Sequence, residues 1–180
     1  MARATGILYK VKHILDKKCL RNLYHVFIYP YLTYCNHVWG KASKKYINTL
    51  TTIQKKIVRL ITFSKRNSHT DILYKSLNIL RVADIHNYLI GVFMYKYIDN
   101  ELPAIFNGMF IRNSQIHNYP TRSKDMFQLP KCHTSLRQKS ILFNGALTWN
   151  TIAKNIHISN TLNTFKHTYK QFLVKSNGCQ

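Results

Sequence analysis

Six carboxylates, nine histidines and four cysteines are the side chains of this 180-residue chain best suited to acid–base, nucleophilic or metal chemistry. The acids are Asp16, Asp71, Asp84, Asp99, Glu101 and Asp125. Two-metal nuclease or polymerase chemistry needs carboxylates converging on ions about 4 Å apart. Asp99/Glu101 is the one close acidic pair, and it stands beside Pro103 where a helix is expected to end, so it reads as a solvated helix terminus. Zinc needs four ligands at close paired spacings. Cys19, Cys35, Cys132 and Cys179 are scattered, and nothing near Cys132-His133 completes a set. The glycines are isolated, so neither phosphate-loop pattern can be written, and no GxSxG elbow occurs. His86, two residues after Asp84, is expected on a helix surface with other polar groups rather than in a catalytic dyad. The chain is therefore read as a non-enzyme with no catalytic, metal-ligating or cofactor-binding residue and no cofactor of its own.

The charge directs the reading towards binding. With 27 Lys+Arg against 6 Asp+Glu the formal charge is +21. Residues 1–66 hold fourteen bases against Asp16, a net of +13; residues 67–110 hold three against four acids, a net of −1; residues 111–180 hold ten against Asp125, a net of +9. Such a field attracts polyanions, RNA or DNA first and an anionic membrane surface second. The alternative is a solvated basic face without a ligand. Leu23–Trp39 is interrupted by His25, Pro30, Asn36 and His37, too polar a run to span a bilayer. The scattered thiols suit a reducing compartment, nuclear or cytoplasmic, better than secretion.

The elements that must position these groups are mainly helical. Ile7, Leu8, Val11, Ile14 and Leu15 recur at helical spacing. Leu20, Leu23, Phe27, Tyr31, Tyr34 and Val38 continue the pattern over 18–38, with a kink or break at Pro30. Ser43–Ile61 is clearest: Ile47, Leu50, Ile53, Ile57, Leu60 and Ile61 form one stripe, Lys45, Asn48, Thr52, Lys55, Lys56 and Arg59 lie mostly opposite, and Ser43 stands at the N-cap. A short helix capped by Ser68 or Thr70 runs to Leu77, and a longer one covers Val82–Ile98. From 107 to 136 the period is lost; Asn113, Asn118, Pro120 and Pro130 suggest loops, with short strands around Thr121–Leu129. Helices resume over 139–153 and 162–175. The candidate nucleic-acid contacts are Lys44, Lys45, Lys55, Lys56, Arg59, Lys65 and Arg66, which can neutralise successive phosphates with little sequence preference. Tyr24, Tyr29, Tyr31, Tyr34 and Trp39 are able to stack on bases, but their helical spacing fits a core better.

Several short motifs then fall into one order. Tyr29-Pro30-Tyr31-Leu32-Thr33-Tyr34, Val38-Trp39-Gly40, Ile53-Gln54-Lys55-Lys56 with Val58-Arg59, Leu102-Pro103, His117-Asn118-Tyr119-Pro120-Thr121-Arg122, Trp149-Asn150 and Phe165-Lys166 span about residues 6–175. In this order they resemble the region after the palm of non-LTR retrotransposon reverse transcriptases of the Jockey/CR1-like, LINE-type group. The resemblance implies basic thumb-like helices over 1–66, a helical connector over 67–110, and a C-terminal segment over 111–180 with a loop or short strands and two helices. It implies a thumb that grips a template–primer duplex of RNA, DNA or RNA–DNA hybrid through its backbone. The palm, whose aspartates would hold magnesium, is expected upstream, so the chain reads as a polymerase fragment. No defined protein partner is expected. Cys35 stands where such proteins commonly have Gly, Pro120 where Asn is common, and Ala153 where Pro often follows the Trp-Asn pair. The other readings are a standalone or co-opted nucleic-acid-binding adaptor and, least favoured, a small nuclease or transferase working through Asp99 or Glu101.

Overall fold

A computed structural model describes residues 1–116, 119, 121–155 and 161–176. The chain is mainly helical: α1 (Ala2–Val11), α2 (Lys17–Phe27), α3 (Tyr29–Thr33), α4 (Asn36–Trp39), α5 (Lys44–Ile61), α6 (Asp71–Leu77), α7 (Val82–Ile98), α8 (Ser135–Gln138), α9 (Ile141–Asn155) and α10 (Leu162–Ser176). These fall into two compact units, one of residues 1–86 with 170–176, the other of the described residues between 87 and 169. Neither unit follows the charge boundaries at 66 and 110.

The first unit is built on α2 and α5. Asp16 caps α2 by accepting the Cys19 N–H at 2.9 Å; hydrogen bonding with the Cys19 thiol, then that N–H, holds its carboxyl below the usual carboxylate range. Helix α3 starts after Ile28 with Pro30 in its first turn, where its missing N–H removes no helical bond. Leu20, Tyr24, Ile28, Leu32 and Asn36, four apart, are buried. The expected stripe is instead turned out beyond Leu20: Tyr31 is 62% exposed, Tyr34 78% and Val38 86%. Of the five aromatic residues considered for a core, Tyr31 and Tyr34 are therefore surface groups. The structure corrects that expectation.

Cys35 joins α3 to α4 in the left-handed region, φ 48° and ψ 27°, a conformation in which a Cβ is strained. Gly40 ends α4, and its bareness is required: a Cβ there would lie 2.0 Å from His86 Nδ1 and 2.5 Å from Asn36 Oδ1. Ser43 precedes α5 without a side-chain cap bond, and Thr70 likewise precedes α6.

Gln54 ties this unit together. Though it sits among lysines in the sequence, its side chain is fully buried. Its Nε2 donates to Tyr24 Oη at 2.9 Å and to the Leu80 carbonyl at 2.8 Å. Its Oε1 accepts from Tyr74 Oη and from the Val82 N–H, each at 3.1 Å. Both donors and both acceptor positions of the amide are thus used.

The second unit has an aromatic core. Phe165 stacks on Tyr95 at 4.7 Å and on Tyr169 at 5.6 Å, with Trp149 at 6.0 Å. Two glycines let its helices approach closely. A Cβ on Gly91 would meet Tyr169 at 2.4 Å, and one on Gly145 would meet Met94 and Phe110 at 2.9 Å. The strand expected near Thr121–Leu129 is not formed; the described residues there contain a single antiparallel bridge, Arg112 to Phe127. The Asn150 side chain takes the place of a neighbouring strand: Phe127 N–H donates to Asn150 Oδ1 at 3.0 Å, and Asn150 Nδ2 donates to the Phe127 carbonyl at 2.8 Å. Ala153, unlike a proline, lets α9 continue to Asn155. His117, Asn118 and Pro120, and with them half of one motif, lie outside the described residues, as does Cys179.

Candidate nucleic-acid interface

The seven sequence-selected bases lie on α5 and on the turn that follows it. At about 100° per residue, Lys44, Lys45, Lys55, Lys56 and Arg59 fall within an arc of about 120°. The opposite arc carries Gln54, Ile57, Val58 and Ile61, all fully buried. Burial of that face fixes the cationic face in place. Lys44, Lys45, Lys55 and Lys56 are exposed, one pair at each end of a rise of about 18 Å, so the two pairs can meet phosphates at two separated points of one backbone.

Arg59 differs from the others. It is half-buried, and its Nε donates to the Ser68 carbonyl at 3.0 Å, so it braces the turn carrying Lys65 and Arg66, both of which are exposed. It is a supporting residue as well as a cation.

Lys56, Arg59 and Arg66 also line a cleft of about 750 Å³ between α1 and α5. Its other wall brings Tyr9 from α1 and Lys12 and His13 from the turn after it; Ile53, Leu60 and Phe63 form an apolar lining, and no carboxylate is among the lining residues. Lys44, Lys45, Lys55 and Lys65 do not line it. Sequence reasoning missed Tyr9, Lys12 and Phe63, although the charge of residues 1–66 and the run Phe63-Ser64-Lys65-Arg66 carried a signal. Lys12 Nζ lies 4.3 Å from the centre of the Tyr9 ring.

Phe63 is held in an unusual backbone state. The Ser64 N–H donates to the Arg59 carbonyl at 3.0 Å and the Phe63 N–H to the Leu60 carbonyl at 3.3 Å, the bonding of a Schellman turn. That motif places Phe63 at φ 53°, a position usually given to glycine, and leaves the ring 59% exposed.

A second basic group gathers Arg21, His25 and Lys170 within the first unit. Burial, then Lys170 and Arg21, hold His25 below its ordinary value; burial, then Arg21, lower Lys170.

The groups weighed for chemistry are placed as follows. Asp99 and Glu101 follow α7, both exposed, and Glu101 lies 3.8 Å from Lys96. Cys132 Sγ donates to the Pro130 carbonyl at 3.3 Å, and His133 is exposed. Among the described residues no three His, Cys, Asp or Glu side chains come together as a metal site. Asp84 and His86 are both buried, contrary to the expectation of a surface position for His86. His86 Nδ1 is 2.9 Å from Asn36 Oδ1; because Asn36 Nδ2 donates to the Leu32 carbonyl, Nδ1 carries the proton and Nε2 is left without a partner. Burial, then the charge of Lys41, lowers the imidazole to about 4.

Among the described residues no helix is long and apolar enough to cross a membrane. Neither known protein families nor curated proteins nor solved structures gave a match to this chain.

Proposed function

We propose that this chain is a nucleic-acid grip of the kind expected in the thumb and post-thumb region of a LINE-type reverse transcriptase, holding RNA, DNA or their hybrid by the backbone and carrying out no bond-making step with its own residues. The observation that carries this reading is the basic arc of α5. Two pairs of exposed lysines, Lys44/Lys45 and Lys55/Lys56, stand about 15 Å apart on one side of a helix whose other side is buried, so the charges are held on a rigid element facing one way.

Three residues from the motif regions support the resemblance. Cys35, where glycine is expected, has a backbone that favours glycine. Gln54 of the Ile53–Lys56 motif is the buried tie of its unit. Asn150 of the Trp-Asn pair secures the backbone of Phe127. Gln54 and Asn150 have the kind of structural duty that keeps a residue type in a motif.

The test is equilibrium binding to a primed RNA–DNA hybrid by the wild type and by Lys55→Ala/Lys56→Ala. Arg59 is left intact because of its bond to Ser68. Weaker binding at low salt, by about tenfold or more for the loss of two phosphate contacts, is expected. Unchanged affinity would make the arc a solvated surface.

A further inference from the structure

We infer that the cleft between α1 and α5 takes unstacked bases of a single-stranded nucleic acid, its phosphates running over Lys12, Lys56 and Arg66. The inference rests on the backbone-binding reading above and adds a base-binding site to it. Three observations meet here. The cleft has an apolar floor but cationic edges and no lining carboxylate, which suits a ligand that is flat and apolar within and anionic along its margin. Its volume, about 750 Å³, exceeds what one base needs and admits a short run of nucleotides. Tyr9 and Phe63 present rings to it that are 60% and 59% exposed.

Phe63 is the most telling of these. A glycine would complete the turn after α5 without strain, yet a large ring stands there with φ at 53° and most of its surface in solvent. The fold gains no core packing from it. A stacking surface accounts for its presence, because every base has a π-face and aromatic stacking tolerates any sequence. A duplex, whose bases are already stacked on one another, would use the lysine arc of α5 and leave the cleft unused.

Gly6 provides a clean way to close the site. It lines the cleft on helical α1, and a Cβ built on it meets nothing within 4 Å. Gly6→Leu should therefore put an aliphatic side chain in the way of a base beside Tyr9 without disturbing the fold, and favour the helix.

The experiment compares an eight-nucleotide single-stranded DNA with an abasic strand of the same length and charge, by fluorescence anisotropy. Wild type, Gly6→Leu and Phe63→Gly are measured, with a blunt DNA duplex alongside. The wild type should bind the base-bearing strand about tenfold or more above the abasic one. Both variants should bring that ratio to within about twofold while keeping duplex affinity. A wild-type ratio near one, or a ratio that survives in both variants, overturns the proposal even if duplex binding is strong. So does a cleft filled by a second copy of the chain, seen as a dimer that Gly6→Leu dissociates. Duplex binding without salt dependence would instead count against the backbone-grip reading, leaving the strand comparison to judge the cleft.

Discussion

Replacing Gln54 by Leu removes one side chain and strands four partners. Tyr24 Oη and the Leu80 carbonyl lose their donor, and Tyr74 Oη and the Val82 N–H lose their acceptor. All four contacts are buried. An orphaned buried polar group costs about 1–3 kcal/mol, and partial rearrangement of the two hydroxyls offsets some of that. A loss of about 3–6 kcal/mol is expected, against a total stability of about 5–15 kcal/mol for an ordinary domain. Because such a loss could leave too little folded protein to measure, Tyr74→Phe provides a gentler probe. It removes one donor from an oxygen still served by Val82, so about 1 kcal/mol is expected. The assay is urea unfolding followed by circular dichroism, at constant pH. In the double variant the Tyr74 change should cost nearly nothing, since its acceptor is already gone. A Gln54→Leu protein within about 1 kcal/mol of wild type would refute the account of Gln54 as the tie of the unit.

Three further outcomes follow from single residues. Burial keeps His86 neutral in the fold, lowering it from 6.5 to about 4, so its contribution is complete above pH 6.5 and is lost as pH falls towards 4. At 1.36 kcal/mol per pH unit the full loss is about 3 kcal/mol; an NMR titration that places the His86 midpoint near 6.5 would contradict this. Cys35→Gly should raise stability by about 1 kcal/mol by relieving the left-handed backbone, and a lower melting temperature would show that the thiol contributes more than the strain. Asn150→Ala should cost about 2 kcal/mol and increase amide exchange at Phe127, whereas unchanged exchange there would mean that Phe127 has another partner.

The legible parts of the sequence were those where a single helical phase runs uninterrupted. The stripe of Ser43–Ile61 gave α5 and its cationic side, but of the stripe only Ile57 and Ile61 are buried; Ile47, Leu50, Ile53 and Leu60 are half-buried, and Gln54 and Val58 complete the buried face. Between 18 and 38 the same rule failed. Leu20-Phe27-Tyr31-Tyr34-Val38 and Leu20-Tyr24-Ile28-Leu32-Asn36 both fit helical spacing, and burial separates them already within α2, where Tyr24 is buried and Phe27 is 41% exposed. Gln54 and His86 were hidden because burial of a polar side chain depends on partners distant in sequence: Leu80 and Val82 for the first, Asn36 for the second. The run around Phe127 has turn residues and strand-forming types, and Met126 and Gln128 pair with other backbone, yet the N–H and carbonyl of Phe127 go to the Asn150 side chain, which no local pattern records. The cleft escaped notice for a related reason: α1 supplies half of it, and Phe63 has the look of a core residue.

The central claim is that the exposed cations of α5 and its following turn meet phosphates. The direct test is the slope of log K against log salt for a DNA duplex, with wild type and the Lys44→Ala/Lys45→Ala/Lys55→Ala/Lys56→Ala variant. Six exposed bases, with Arg59 engaged by Ser68, predict a wild-type slope of about −5, and loss of four should reduce it to about −2. Equal slopes in the two proteins would contradict the account.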